Sequence, residues 1–257
     1  MSLPFAVSQA AAASTACCSI LEIRQYTLTP GSFQPFISLF ENNFVEPQEA
    51  AGITVVGTFH VLDDPNRLFW IRGFPDMDAR KTSLTAFYGG PVWKSHRDLA
   101  NSMLVENDNV LLLHPVRADS GFAVDPSTRP VLGASEARPG LMVATIYSLG
   151  AVDVHTFDET FEGSIRPTIT ASGADVIATF ATEHSENNFP RLPIRGDANV
   201  FAWFSCFKDE AAYARYQAAL AAHPEWAKIR ESLALWHMYS PPEVWRLSAT
   251  PRSALHC

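Results

Sequence analysis

Several motifs that mark large classes of enzymes are missing from this sequence. It contains no glycine-rich phosphate loop, no GxSxG nucleophile elbow, and no HExxH or comparable metal-ligand spacing among its 8 histidines. No apolar run approaches the roughly 20 residues that a helix needs to cross a bilayer. The sequence therefore predicts a protein without a nucleotide or metal cofactor and without a membrane partner.

Positive charge and cysteine are also scarce. The chain has 19 Lys and Arg against 27 Asp and Glu, a net charge of −8, so it offers no overall attraction to nucleic acid. The 4 cysteines show no CxxC or Cys/His metal spacing, and we expect free thiols in a reducing cytosol. The first eighteen residues lack the basic start of a signal peptide, which also favours a cytoplasmic protein.

An internal repeat organises what the sequence does contain. A shift of 121 residues aligns the beginning of both copies and places Tyr26 on Tyr147. Further along, a shift of 133 residues places Trp93 on Trp226, within the similar segments GPVWKSHR and HPEWAKIR. One register interrupted by one insertion predicts two divergent copies of a single unit.

Each copy has the pattern strand, helix, strand, strand, helix, strand. In the first copy the predicted strands are Ile20–Leu28, Ile53–Leu62, Leu68–Phe74 and Val110–Leu113. The first helix repeats apolar residues at helical spacing and follows Ser32, a suitable N-cap, while Asp153 is the matching cap in the second copy. Asp76 is placed to cap the second helical region, and Pro91 opens a further helical segment.

This order of elements describes a ferredoxin-like unit, whose sheet has helices on one face and a bare second face. We predict an α+β fold of tandem ferredoxin-like (βαββαβ) repeats, with antiparallel sheets packed as an intrachain dimeric α/β barrel. The predicted boundaries are an N-terminal tail 1–18, a first domain 19–116, a flexible linker 117–139, a second domain 140–248 and a C-terminal tail 249–257.

Two segments carry a family resemblance. The opening ILEIRQYTLTPGSFQPF has a Glu-x-Arg-x-Tyr strand and a Pro-Gly helix entry, and HPEWAKIRESL has a His-Pro-Glu-Trp helix start. Together they resemble the NIPSNAP family of the dimeric α/β-barrel superfamily, over residues 19–116 and 140–248. The resemblance implies the barrel fold, and it implies relatives that include cofactor-independent oxygenases, haem-degrading enzymes and small-molecule isomerases. It does not imply one reaction.

A charged strand face is the main candidate for a functional site. Strand alternation places Glu22, Arg24 and Tyr26 on one face of the first strand, and Trp70 and Arg72 on one face of the third. Because these strands are neighbours in the fold, we expect one cluster, directed towards the barrel interior. The second copy has valine and threonine where the first has Glu22 and Arg24, so the site should exist once per chain.

Two interpretations of this cluster remain open. It is either a buried ion-pair network that fixes how the sheets dock, or a pocket for a small organic anion or carbonyl compound. In the second case Arg24, Arg72, Trp70 and Thr58 bind substrate, and the catalytic candidates are Glu22 as base, Tyr26 and His60. Thr58 shares a strand face with His60, whose side chain titrates near neutrality.

The functional prediction follows from the pocket. The first hypothesis is a small-molecule enzyme, of the cofactor-independent monooxygenase or isomerase kind. The alternatives are a non-catalytic ligand-binding or scaffold protein, and an oxygenase or haem-handling protein. The predicted partner is a small-molecule ligand, and a homo-oligomer is left open. The insertion at 184–197 in the second copy is either a lid or interface piece, or has no function.

Overall fold

The computed structural model describes residues 17–136, 138–235 and 241–257. Its strands are β1 Ile20–Leu28, β2 Thr54–Val61, β3 Arg67–Phe74, β4 Leu104–Pro115, β5 Leu141–Ser148, β6 Asp175–Thr182, β7 Val200–Phe207 and β8 Glu243–Ala249. Its helices are α1 Phe33–Asn43, α2 Val45–Ala50, α3 Met77–Gly89, α4 Pro91–Ser102, α5 Val154–Thr160, α6 Arg166–Ala171, α7 Glu210–Ala222 and α8 Pro224–Leu235. A π-helical turn, Phe161–Ile165, joins α5 to α6.

The eight strands form one closed antiparallel barrel in the order β1-β3-β2-β8-β5-β7-β6-β4. Each half of the chain contributes four adjacent strands, and the halves join where β2 pairs with β8 and β4 pairs with β6. The central pairs have corresponding registers, since Glu22 lies opposite Arg72 and Val143 lies opposite Ser205. The predicted α+β fold with sheets packed as a barrel within one chain is confirmed.

The barrel interior is apolar and is shared by both halves. Leu21, Ile23 and Phe69 of the first half pack there with Met142 and Phe204 of the second. Two further apolar clusters lie outside the barrel, each between one half's strands and its helices. Burial of these three clusters supplies the main stabilisation of the fold.

The strand faces are the reverse of our prediction. Leu21 and Ile23 point into the barrel, whereas Tyr26 lies in the outer cluster beside α1, and Glu22 bonds to Arg80 of α3. The reason is that the closed interior is filled by apolar side chains, most of them from the strands of both halves. The helices, by contrast, can supply polar partners to a charged strand face.

Helix caps follow the sequence signals in part. Asp76 accepts a hydrogen bond from the Ala79 amide at 2.7 Å, and Asp153 accepts one from the His155 amide at 3.0 Å. Ser32 occupies the N-cap position of α1, but its side chain makes no capping hydrogen bond. The last strand of the first half is longer than the predicted Val110–Leu113. Polar residues at its exposed start conceal the strand pattern there.

The segments predicted as linker and C-terminal tail are packed rather than free. Phe122 is 1% exposed and fills the barrel interior, with its ring centre 4.9 Å from that of Phe180. In the C-terminal segment, Leu255 also joins the interior cluster. The predicted domain boundaries stay a prediction, and residues 1–16 of the predicted N-terminal tail lie outside the described residues.

The prediction of free thiols is wrong for two of the four cysteines. Cys206 of β7 and Cys257 form a disulfide, while Cys17 and Cys18 are free. No cysteine spacing indicates this pair, because the two cysteines are 51 residues apart and meet only where the C-terminal segment packs against the barrel. Among the described residues no helix is long and apolar enough to cross a membrane.

Candidate functional site

A buried carboxylate contacted by three arginines lies between the sheet of the first half and its helices. Glu22 of β1 accepts hydrogen bonds from Arg24 at 2.6 Å, from Arg72 of β3 at 2.8 Å and from Arg80 of α3 at 2.7 Å. All four side chains are at most 1% exposed. The predicted cluster of Glu22, Arg24 and Arg72 is thus assembled, on the helix side of the sheet.

The arginines determine the protonation state of Glu22. Burial by itself would raise the pKa of this carboxyl, but the charges of Arg72, Arg24 and Arg80 hold its pKa well below the usual range. A carboxylate with so low a pKa is a weak proton acceptor. The geometry therefore gives Glu22 a positioning role and does not favour the predicted role as base.

Arg80 is the member of this cluster that sequence reasoning missed. It lies four residues before Leu84 and seven before Phe87, and all three are buried on one face of α3. An arginine at an apolar helical position is a signal that it reaches a buried partner. The alternation of the strand residues does not reveal this helical position.

A cavity of about 430 Å³ lies above this cluster, between the sheet and the helices. Half of its lining residues are aromatic, namely Tyr26, Phe36, Phe40, Phe44, Trp70, Phe87, Tyr88, Trp93 and Phe189. Its buried polar groups belong to Tyr26, Gln48 and Trp70, and Tyr88 is half-buried. Its exposed polar lining residues are Arg97, Asp98, Asn101, Asn107 and Arg191. The volume and the lining suit a small, flat, largely apolar molecule.

Each of the two tyrosine hydroxyls that line the cavity accepts a hydrogen bond from an arginine of the buried cluster. Arg24 Nε donates to the Tyr26 hydroxyl at 2.7 Å, and Arg72 Nη1 donates to the Tyr88 hydroxyl at 3.3 Å. Each hydroxyl oxygen is therefore an acceptor to arginine, and neither hydroxyl proton has an acceptor among the described residues. Burial raises the pKa of Tyr26, so its hydroxyl stays protonated and available as a donor near neutral pH.

The indole of Trp70 forms part of the cavity wall next to the arginines. The Arg72 guanidinium lies 5.2 Å from the ring centre, and that of Arg24 lies 5.7 Å away. Trp70 Nε1 is buried without an acceptor among the described residues, and the same holds for Trp203 at the corresponding position of the second half. Trp70 therefore contacts both the cavity and the charged cluster.

The insertion of the second half covers the cavity of the first. Phe189 stacks on Tyr88 with ring centres 5.9 Å apart, and it lines the cavity together with Leu192. Asn187 and Asn188 accept hydrogen bonds from Arg80 at 3.1 and 2.9 Å. The insertion is therefore built into the site, which contains side chains from both halves of the chain.

Two predicted site residues lie elsewhere. Thr58 pairs its hydroxyl with that of Thr250, which in turn donates to Glu41 of α1 at 2.6 Å. His60 packs against Phe33 with ring centres 4.5 Å apart, and burial lowers its pKa. Neither residue lines the cavity, so the structure does not bring them together with Tyr26, Trp70 and the arginines.

The second half has no corresponding ionic cluster. Val143, Thr145, Ser205 and Tyr213 occupy the positions of Glu22, Arg24, Arg72 and Arg80. A cavity of about 290 Å³ lies there, lined by Tyr147, Trp226, Arg230, Leu233, Ala234, Pro241 and Pro242. In the described part of the chain, no group of three or more His, Cys, Asp or Glu side chains could hold a metal ion.

A family model matches the first half of the chain. Residues 21–117 match the model of the NIPSNAP family, which confirms the resemblance predicted for the first copy. The resemblance predicted for residues 140–248 stays a prediction. No curated protein matches the sequence.

Solved structures share the fold over nearly the whole chain. A proposed monooxygenase from Lactobacillus acidophilus is 13% identical with a TM-score of 0.51, over 92% of this chain and 97% of that chain. A proposed monooxygenase from Fusobacterium nucleatum is 10% identical with a TM-score of 0.53, over 92% and 95%. An anthrone oxidase-like protein is 11% identical with a TM-score of 0.52, over 90% and 91%. At these identities the likeness establishes the barrel fold alone.

Proposed function

We propose that the chain, whose residues 21–117 match the model of the NIPSNAP family, is an enzyme that acts on a small, flat, largely aromatic molecule with a carbonyl or acidic hydroxyl oxygen. The observation that carries this proposal is the pair of arginine-held hydroxyls of Tyr26 and Tyr88 in an aromatic cavity. The rings would sandwich the substrate, and the hydroxyls would donate to its oxygen.

The chemistry supported by this arrangement is stabilisation of negative charge on that oxygen. Fixed O–H donors stabilise an oxyanion more strongly in a dry site than in water, and they need no reorganisation as the charge develops. Arg24 and Arg72 strengthen both donors because each withdraws electron density from the hydroxyl to which it bonds. A carbonyl compound held there would lose an α-proton to solvent water or hydroxide more readily, because the two hydroxyls stabilise the enolate that forms.

The proposed reaction uses no nucleotide or metal cofactor. The polar groups that contact the arginine cluster from the cavity are hydroxyls, an amide and an indole N–H, from Tyr26, Tyr88, Gln48 and Trp70. Zinc and the transition metals usually take thiolate, imidazole or carboxylate ligands, and magnesium and calcium usually take at least one carboxylate. The donors present instead suit a neutral carbonyl that becomes an enolate.

Exchange of α-protons tests the proposal without assuming the final product. We expect the protein to accelerate deuterium incorporation from heavy water into 2-tetralone, followed by proton NMR. Tyr26→Phe should slow the catalysed exchange by about 10²–10³-fold, the typical effect of removing one oxyanion donor. Thr58→Val, a conservative change outside the cavity, is the matched control and should leave the rate unchanged. Equal rates for wild type and Tyr26→Phe would overturn the proposed role of the hydroxyls.

A non-catalytic ligand-binding protein is the second candidate. It is favoured by the state of Glu22, because the buried carboxylate next to the cavity is fully engaged by three arginines. Tight binding of 2-tetralone with no catalysed exchange would support this second candidate over the enzyme.

Oxygenation of the stabilised anion is a finer version of the enzyme proposal. It is supported by the aromatic cavity and by fold likeness to proteins described as proposed monooxygenases and as anthrone oxidase-like. Such a reaction would use dioxygen as co-substrate. An oxygen electrode, with anthrone as the probe compound, measures this directly. We expect wild type to consume oxygen and Tyr26→Phe to consume none above the rate without protein. Oxygen consumption by wild type equal to the rate without protein would rule out this reaction.

A further inference from the structure

The buried cluster of the first half carries more positive than negative charge. It contains three arginines and one carboxylate, all at most 1% exposed. Arginine does not lose its proton in proteins, so the excess charge cannot be removed by titration. Arg72 Nη2 and Arg80 Nη2 each lie 2.7 Å from a Glu22 oxygen, yet neither is aligned for a hydrogen bond. One carboxylate therefore does not satisfy the donors that surround it.

The other groups that contact these arginines are neutral. Arg24 contacts Tyr26, Arg72 contacts Gln48 of α2 and Tyr88 of α3, and Arg80 contacts Asn187 and Asn188 of the insertion. These groups supply dipoles and no ionic charge.

The remaining carboxylates on α1 and α2 are engaged elsewhere. Glu41 accepts from Thr250 and from the Arg252 amide, at 2.6 and 2.9 Å. Glu46 pairs with Arg252, and Glu49 with Arg129 at 2.6 Å. On α4, Asp98 pairs with Arg97 at the exposed rim of the cavity. None of these carboxylates balances the cluster.

We propose that the ligand of this cavity is bound as an anion, a planar organic oxyanion whose charge balances the buried arginines. This inference rests on the proposed function and adds the charge state of the substrate to it. The anionic oxygen accepts hydrogen bonds from the hydroxyls of Tyr26 and Tyr88, which in turn accept from Arg24 and Arg72. One tyrosine hydroxyl therefore lies between the negative charge of the ligand and each guanidinium. Charge-assisted hydrogen bonds of this kind are about twice as strong as neutral ones.

A proton is released when a neutral acid binds in this way. An aromatic compound with an acidic hydroxyl or an enolisable ketone would lose its proton to solvent on entering the site. A carboxylate on an aromatic ring is the other source of the same charge. Both sources carry a negative charge on oxygen, and probes built on the same ring distinguish between them.

Three probes with the same ring test the inference, namely 4-nitrophenol, 4-nitroanisole and 4-nitrobenzoate. Binding is followed by quenching of tryptophan fluorescence, and ionisation of 4-nitrophenol by the visible absorption of its phenolate. We expect the pKa of bound 4-nitrophenol to fall by about one unit, which corresponds to an about tenfold preference for the phenolate. 4-Nitroanisole, which cannot ionise, should bind correspondingly more weakly. Binding of 4-nitrobenzoate as tight as that of the phenolate would show that the site recognises charge in either oxyanion.

A pair of variants assigns the effect to the cluster. Arg72→Gln removes one of the excess charges and should abolish most of the pKa shift, whereas Arg166→Gln, in the second half, should retain it. Thermal melts establish that both variants are folded. The comparison of 4-nitrophenol with 4-nitroanisole on wild type stands even if Arg72→Gln does not fold.

The possible outcomes distinguish this inference from the proposed function. If 4-nitrophenol and 4-nitroanisole bind equally well and the pKa is unchanged or raised, the anion inference is overturned while the binding site stands. If none of the probes binds, the site and the inference both fall.

Discussion

At the scale of single residues, Glu22 holds the arginine cluster together. Replacing it by glutamine keeps the shape of the side chain but leaves Arg24, Arg72 and Arg80 buried without a counter-charge. We expect Glu22→Gln to lower the free energy of unfolding by about 3–5 kcal/mol, measured by urea denaturation. Glu159→Gln, at an exposed position of α5, is the control and should change it by less than about 0.5 kcal/mol. A similar small effect for both variants would contradict the role given to Glu22.

The same residue predicts a dependence of stability on pH. The pKa of Glu22 is depressed in the folded protein, so its contribution is fully present above the unfolded value of about 4.3. The contribution is lost as the pH falls towards the folded-state pKa. The stability difference between wild type and Glu22→Gln should therefore be constant from about pH 7 to 5.5 and narrow below about pH 4. Urea denaturation of both proteins at several pH values measures this difference in the free energy of unfolding. A difference that already narrows near neutral pH would be inconsistent with a depressed pKa of Glu22.

At the scale of elements, the sequence predicts the strands and caps better than the faces. Period-two alternation correctly groups Glu22, Arg24 and Tyr26 on one side of β1. Alternation alone does not determine which side meets the helices. That depends on Arg80 and Gln48, which come from helices distant in sequence and provide the polar partners that a closed apolar interior lacks.

The cavity was not predictable from one half of the sequence. Tyr88 and Phe189 lie on different halves of the chain and stack only because the insertion folds back over α3. The length of the insertion left open whether it is a lid or interface piece or has no function, and its contact with Arg80 depends on the three-dimensional fold.

Phe189 should therefore affect binding although it lies outside residues 21–117, which match the NIPSNAP family model. Phe189→Ala removes a stacked ring from the cavity, and we expect the affinity for 4-nitrophenol to fall about tenfold, consistent with the loss of about 1.5 kcal/mol. Glu186→Ala, at an exposed position of the same insertion, is the matched control. Fluorescence titration measures both, and equal affinities for the two variants would show that the insertion does not form part of the site.

At the scale of the whole molecule, the C-terminal segment is bound covalently to the barrel. If Cys206 and Cys257 are paired, thiol labelling of the unfolded protein should count two reactive cysteines without reductant and four with it. Cys257→Ser should lower the free energy of unfolding by about 2–4 kcal/mol under oxidising conditions, because the disulfide no longer restricts the unfolded chain. Four reactive cysteines without reductant would show that the pair is reduced, as expected of a cytosolic protein.

The wall of the barrel separates the proposed site from the barrel interior. Its interior is filled by apolar side chains of both halves, whereas the proposed site lies outside it, between the first half's strands and helices. The location of a bound molecule is therefore the most direct test of the account. Crystals soaked with 6-bromo-2-naphthol would show the bromine by its anomalous signal. We expect one site, with the naphthol oxygen at the hydroxyls of Tyr26 and Tyr88. Bromine inside the barrel, or in the cavity of the second half beside Tyr147, would contradict it.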